Sequence, residues 1–289
     1  MFADILRFRS YRYLWWGLAS IAAAWALYAS HGGSEPPNGG TWQGYVLGTW
    51  AALLIVWLAW LGIRKRSYRS RLGTTQGWTS AHVYLGLAVW VLATLHAGFQ
   101  LGANIHTVAY VLMTVVILSG VAGLYTYMSH PRKLAANRGG RNRSELFAEL
   151  YELNREGQDL ARRCGAEIQT AVRSSIDRTR IGGGVLAQLS GRDGSTFETL
   201  EHGRQPNRDQ SAVVDLVAQR ITRADRRTEV AQLQELLAVL CRRQEVLRRL
   251  REDIRLQGWL NAWLYVHVPL TVATIAALAA HIVSTFIYW

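Results

Sequence analysis

The chain has 289 residues, of which 50% are hydrophobic and 18% charged, and its net charge of +12 rests almost entirely on arginine. A mean hydropathy of +0.04 would suit an ordinary soluble protein, yet the stretches 13–63, 72–131 and 256–289 hold 145 residues with no Lys or Arg and one acid, Glu35. That segregation excludes disorder, collagen-like repeats and a single soluble globule, and it predicts membrane spans alternating with basic aqueous segments.

A helix needs ~20 apolar residues to cross the hydrocarbon core, and five segments qualify: 12–30, 44–63, 79–100, 105–128 and 259–287. The first follows Arg7, Arg9 and Arg12 as a signal peptide would, but it is too long and too rich in Trp, so it reads as a retained anchor. Short-loop arginines mark the cytoplasmic side. The N-terminal tail and the RKRSYRSR loop after the second segment are basic, whereas 31–43 and 101–105 carry no Lys or Arg. The expected topology alternates without exception: an inner (cytoplasmic) membrane protein, multi-pass, with its N-terminus cytoplasmic and its C-terminus periplasmic.

Between the fourth and fifth spans lies an insertion, 131–258, with 24 Lys/Arg against 18 Asp/Glu. Leu146, Leu150, Leu153, Leu160, Cys164, Ile168, Val172 and Ile176 make one helical stripe, with Ser144 and Glu145 as its N-terminal cap. A second stripe runs through Val230, Leu233, Leu237, Leu240, Leu247, Leu250 and Ile254. The two predict an antiparallel hairpin, a stalk whose glycine-rich residues 181–209 form an irregular tip, with a short helix at 211–222. The fold class expected is therefore all-α: a five-span transmembrane helical bundle with a cytoplasmic helical-hairpin insertion, divided as 1–130, 131–258 and 259–289. Interleaved Arg and Glu read as a solvated, ion-paired surface attracted to anionic inner-leaflet lipid, with docking of a cytoplasmic partner second; no nucleic-acid motif occurs. Cys164 and Cys241 form no CxxC or CxxCH, which leaves them as structural or inert thiols.

The third and fifth spans carry the chemistry. His82 and His96 are 14 residues apart, as are His267 and His281. Fourteen steps of ~100° return to within ~40° of the same face and cover ~21 Å. Both spans run from inside to outside, so His82 meets His267 at one depth and His96 meets His281 at the other. Two facing imidazole pairs suit two b-type haems, His82 and His267 on the inner iron and His96 and His281 on the outer. The faces between the ligands read Gly86, Val89 and Ala93 on one span and Thr271, Thr274 and Ala277 on the other, small enough for a flat macrocycle. Arg69 and Arg71 are the expected inner propionate contacts; on the outer side His106 and Gln100 are the candidates. His31, His130 and His202 read as interfacial or surface residues.

The paired H-x13-H spans, with glycine between the first two ligands and SGVAGLY at 119–125, resemble the dihaem membrane cytochromes b, including the bacterial cytochrome b561-like subunits and the ferric-reductase-like membrane domains. The resemblance covers the third to fifth spans. It implies electron transfer across the membrane between the quinone/quinol pool and a redox partner. With no c-type motif and short outer loops, the partner expected is a separate periplasmic protein such as a c-type cytochrome, and the chain an electron-transfer subunit or a component of a quinol dehydrogenase. Two other readings stand beside it: a transmembrane reductase fed by a cytoplasmic flavoprotein docked on the insertion, and a haem-free membrane scaffold with a cytoplasmic stalk. Five spans and a large insertion depart from the respiratory pattern, so no quinone-site residue is carried over.

Overall fold

The computed structural model describes residues 3–33, 36–66 and 73–287. In chain order the helices are α1 (Ala3–Leu6), α2 (Arg12–Ala29), α3 (Trp42–Ala59), α4 (Leu61–Arg66), α5 (Thr75–His96), α6 (Ile105–Arg138), α7 (Arg143–Ala161), α8 (Ala166–Asp177), α9 (Val185–Ser190), α10 (Ser211–Thr222) and α11 (Arg227–Ile287). Strands β1 (Thr196–Thr199) and β2 (Gly203–Pro206) form one antiparallel pair. The chain divides into two compact units, Met1–Met128 with Ala262–Trp289, and Ser129–Asn261.

In the first unit, helix starts are set by threonine. Thr41 accepts from the Gly44 N–H at 3.2 Å to open α3, and Thr74 accepts from the Gly77 N–H at 3.1 Å to open α5. Ala24, Leu47, Ala51, Leu92 and Leu95 pack α2, α3 and α5 into one core, while Leu58, Val89 and Met113 join α3 and α5 to α6. The outside is as apolar as the inside: Trp15, Trp16, Leu53, Leu118, Val272 and Phe286 are all exposed. An apolar surface of that extent is compatible with a lipid surrounding, in which helices satisfy their own backbone groups. Among the described residues, four helical stretches are long and apolar enough to cross a membrane: Trp42–Arg66, Thr75–His96 and the apolar parts of α6 and α11. The expected first span forms α2, with 18 residues. It falls short of the other four because Arg12 and its Trp and Tyr residues hold down its hydropathy.

The second unit departs from a simple stalk. Helix α7 is capped by Asn142, not Ser144: the Asn142 side chain accepts from the Glu145 N–H and the Glu145 carboxylate returns the bond to the Asn142 N–H. The stripe from Leu146 to Ile176 does not lie on one helix. It breaks at 162–165, where Gly165 takes φ +92°, a left-handed conformation that a side chain would resist, and α8 turns back along α7. Helices α7 and α11 run antiparallel, as Arg143–Asp253, Glu149–Arg242 and the approach of Gly157 to Val239 show by their opposite numbering. Residues 181–209 do not sit at a far tip. The chain turned at Gly165 brings them back to the C-terminal part of this unit's α11, where Arg251 Nη2 donates to Ser195 Oγ at 3.1 Å and Leu189 packs near Gly258. They also include the β1–β2 hairpin and a short 3-10 turn at Arg208–Gln210; α10 occupies the stretch expected to be helical.

One core unites these pieces, with Leu146, Leu150, Ile168, Val172, Phe197 and Val213 among residues meeting Leu233, Leu240, Leu247 and Leu250 of α11. Arg243 passes through it, 1% exposed. Its guanidinium donates to Asn154 Oδ1 at 2.7 Å, Gln210 Oε1 at 2.6 Å and Thr179 Oγ1 at 2.7 Å, tying α7, the end of α8 and the 3-10 turn to α11. Burial, with Arg251 nearby, pulls its pKa down to about 10, so it stays charged at neutral pH. Asp253, fully buried, is held by Arg138 and Arg143. Burial pushes its carboxyl up, and those two guanidinium bonds more than offset it, leaving it below the ordinary carboxylate value. Arg243→Ala strips three acceptors of their donor and is expected to cost about 2–4 kcal/mol. Urea-dependent loss of protease resistance in this unit measures it; an unchanged midpoint would show that Arg243 organises nothing.

Candidate functional site

Helices α3, α5, α6 and α11 surround the four histidines of the third and fifth expected spans. Each imidazole is anchored through Nδ1. His82 Nδ1 lies 3.1 Å from the Leu58 carbonyl and His96 Nδ1 lies 2.7 Å from the Gly44 carbonyl, both on α3. A carbonyl only accepts, so both Nδ1 atoms carry the proton and both Nε2 atoms carry the lone pair. His267 Nδ1 lies 2.7 Å from Ser119 Oγ on α6. Ser119 spends its hydroxyl proton on the Val116 carbonyl at 2.8 Å, so here too Nδ1 donates and Nε2 holds the lone pair. His281 Nδ1 meets His106 Nδ1. Among the described residues, none of the four Nε2 atoms has a hydrogen bond.

The pairs share cavities. His82 and His267 line one of about 110 Å³ with Gly86, Gly120, Thr271 and Thr274. His96 and His281 line another of about 850 Å³, with Ala93, Gln100, His106 and again Thr274. The rings of His96 and His281 have centroids 5.9 Å apart with planes at 89°. Two imidazoles on opposite sides of one metal, with metal–nitrogen bonds of ~2 Å, would have centroids ~6 Å apart. Among the described residues no group of three or more His, Cys, Asp or Glu could hold a metal ion; the histidines line the two cavities in pairs.

Haem can be tested against these two places. At the outer pair, donors, spacing and volume all fit, since 850 Å³ lies within the ~300–1,000 Å³ of cofactor pockets. At the inner pair the donors are ready but 110 Å³ is too little. Its walls include Leu87 and Val121, both exposed, and Gly86, where an added Cβ would meet nothing.

Several site residues carry no signal in the histidine spacing. A Cβ on Gly48 would come within 2.6 Å of His96 Cε1; only a glycine lets α3 approach this ring. Gly44 and Gly48 make a small-x-x-x-small pair, a packing signal legible in sequence. Trp263 donates from Nε1 to the Ser119 carbonyl at 2.8 Å and lies 5.2 Å from the His267 ring, seated against Gly123. Lys65 lies near enough to His82 and His267 to act on both electrostatically, and its Nζ sits 5.4 Å from the Tyr127 ring centre. It is a described cation at the inner pair, whereas Arg69 and Arg71, the expected propionate contacts, lie outside the described residues. His106 lines the outer cavity and also props His281. His31 pairs with Gln43 at 3.3 Å and His202 with Glu201 at 3.9 Å, away from both cavities. The His130 side chain is outside the described set.

No protein-family model, curated protein or solved structure matches the chain.

Gly48→Val is expected to push His96 off its carbonyl and, if the outer pair takes up haem, to lower its occupancy by roughly tenfold or more. Gly62→Val, placed where an added Cβ meets nothing, should leave it intact. Soret absorbance per protein reads both, and full occupancy in Gly48→Val would show that ring and helix are not in contact.

Proposed function

We propose that this chain is a membrane-integral dihaem b-type cytochrome that moves electrons across the membrane between the quinone/quinol pool and a separate periplasmic partner. One observation carries the reading. Three of the four histidines have the Nδ1 proton committed to a carbonyl or an accepting hydroxyl, which leaves Nε2 as a bare lone pair in an apolar bundle. That is the tautomer a metal-ligating histidine needs, and the Nδ1 anchor is the outer-shell contact such a ligand keeps. All four imidazoles are partly buried, and lone pairs held in an apolar bundle favour a ligand that binds them. Bis-imidazole ligation of haem iron supplies a one-electron carrier with both axial positions filled.

The topology proposed is five spans, with α2 counted beside the four more apolar stretches, the N-terminus and the Ser129–Asn261 unit cytoplasmic, and the C-terminus periplasmic. It rests on the absence of Lys and Arg from 31–43 and 101–105. His82 and His267 then hold the inner haem, with Lys65 the described cation for its propionates; His96 and His281 hold the outer one, with His106 positioning His281. The inner cavity of about 110 Å³ has to widen before it can take a macrocycle. The outward surface carries no basic side chain, so a docking partner there meets a neutral to acidic face.

Purified protein should show a Soret band and a reducible α band. His96→Ala and His281→Ala should each halve the haem-to-protein ratio by removing the same spectral component, and His82→Ala and His267→Ala should remove the other. Reduction by a quinol analogue, blocked by quinone-site inhibitors, supports the proposed donor. A preparation without these bands, or His96→Ala and His281→Ala removing different components, would end the pairing.

A further inference from the structure

The second unit holds an open cleft of about 1220 Å³ in which six arginines converge: Arg180, Arg192, Arg208, Arg248, Arg251 and Arg255. They come from separate pieces of chain, the loop after α8, the loop after α9, the 3-10 turn and α11. Three carboxylates share the cleft and all are engaged. Asp193 lies 2.9 Å and Asp209 3.7 Å from Arg251 Nη1, and Glu252 lies 3.3 Å from Arg255. Arg248 pairs with Glu245 at 2.6 Å. Among the described residues, Arg180, Arg192 and Arg208 have no carboxylate within ion-pair distance, so the cleft keeps three uncommitted guanidiniums facing one space. Guanidinium groups match phosphate oxygens in charge and in forked geometry.

Exposed aliphatic side chains lie next in sequence to the cleft lining. Helix α9 leads directly from the lining glycines 182–184, and its Val185 and Leu186 are 70% and 82% exposed. Leu189 on the same helix packs near Gly258 of α11. On α11 the lining residues Arg248, Arg251, Glu252 and Arg255 recur one turn apart, and the apolar run begins at Trp259, one turn past Arg255. Basic side chains beside exposed aliphatic ones, at the point where a helix turns apolar, match the charge and polarity profile of a lipid interface.

We propose that this arginine cleft binds the phosphate of an anionic phospholipid headgroup, with Val185 and Leu186 against the acyl chains. The assignment does not depend on haem and requires only that α11 enters the membrane after Arg255. A free phosphorylated small molecule presents the same chemistry to the three guanidiniums; the exposed aliphatic pair favours the lipid.

The full chain would be placed in nanodiscs of phosphatidylcholine alone or with phosphatidylglycerol, and amide exchange followed in residues 180–194. Slower exchange only in the anionic discs is expected. Arg180→Gln/Arg192→Gln/Arg208→Gln should abolish that protection, by weakening headgroup binding on the order of 100-fold. Arg155→Gln/Arg162→Gln/Arg173→Gln, an equal charge loss on α7 and α8 outside the cleft, should retain it. Equal protection in both discs, or equal loss in both triple variants, would overturn the site. Protection by inorganic phosphate in phosphatidylcholine discs, matching that of phosphatidylglycerol, would overturn the lipid assignment.

Discussion

An imidazole in an apolar bundle has one proton and one lone pair, and neither can be left to water. Here the proton side is settled by the backbone of α3 and by Ser119 of α6, which accept from Nδ1 of His82, His96 and His267. Every other feature of the site follows from that commitment. The lone pairs must point away from their anchors, α3 must come close enough to offer two carbonyls, and α6 must present a hydroxyl whose own proton is already spent. Gly48 and the seat of Trp263 on Gly123 make those approaches sterically possible.

The second unit solves a different problem. It must build a core from mostly charged sequence, and it does so by turning the chain back at Gly165 so that α7, α8, α10 and the hairpin all face one stripe of α11. A buried guanidinium, Arg243, ties three of those pieces together without any carboxylate. The same reversal returns the glycine-rich loop to the part of α11 next to its apolar run, which is why arginines distant in sequence share one cleft.

That His82 and His267 line one cavity and His96 and His281 another was legible in the sequence, because fourteen residues return to nearly the same helix face. The residues that hold the rings were not. Leu58 and Gly44 contribute backbone carbonyls, which any residue could supply, and Ser119 is one hydroxyl among many on apolar spans. The Gly44–Gly48 pair was readable as a close-packing signal, although not as a histidine support. In the second unit the stripe from Leu146 to Ile176 kept its helical spacing through Cys164, and nothing in that periodicity reveals that α7 ends and α8 begins there. A hydrophobic repeat reports which residues face a core and is silent on whether one helix or two present them. Capping chemistry was close but misplaced: Asn142 and Ser144 both suit the role, and the Glu145 partner three residues on selects Asn142.

The central claim is that the Nε2 lone pairs of two histidine pairs ligate two haem irons. A redox-monitored optical titration of the purified full chain tests it most directly. Two one-electron components with low-spin, bis-imidazole b-type spectra, together accounting for two haems per chain, are the predicted result. A chain that takes up no haem, or whose haem is high-spin and shows a single component, would contradict it.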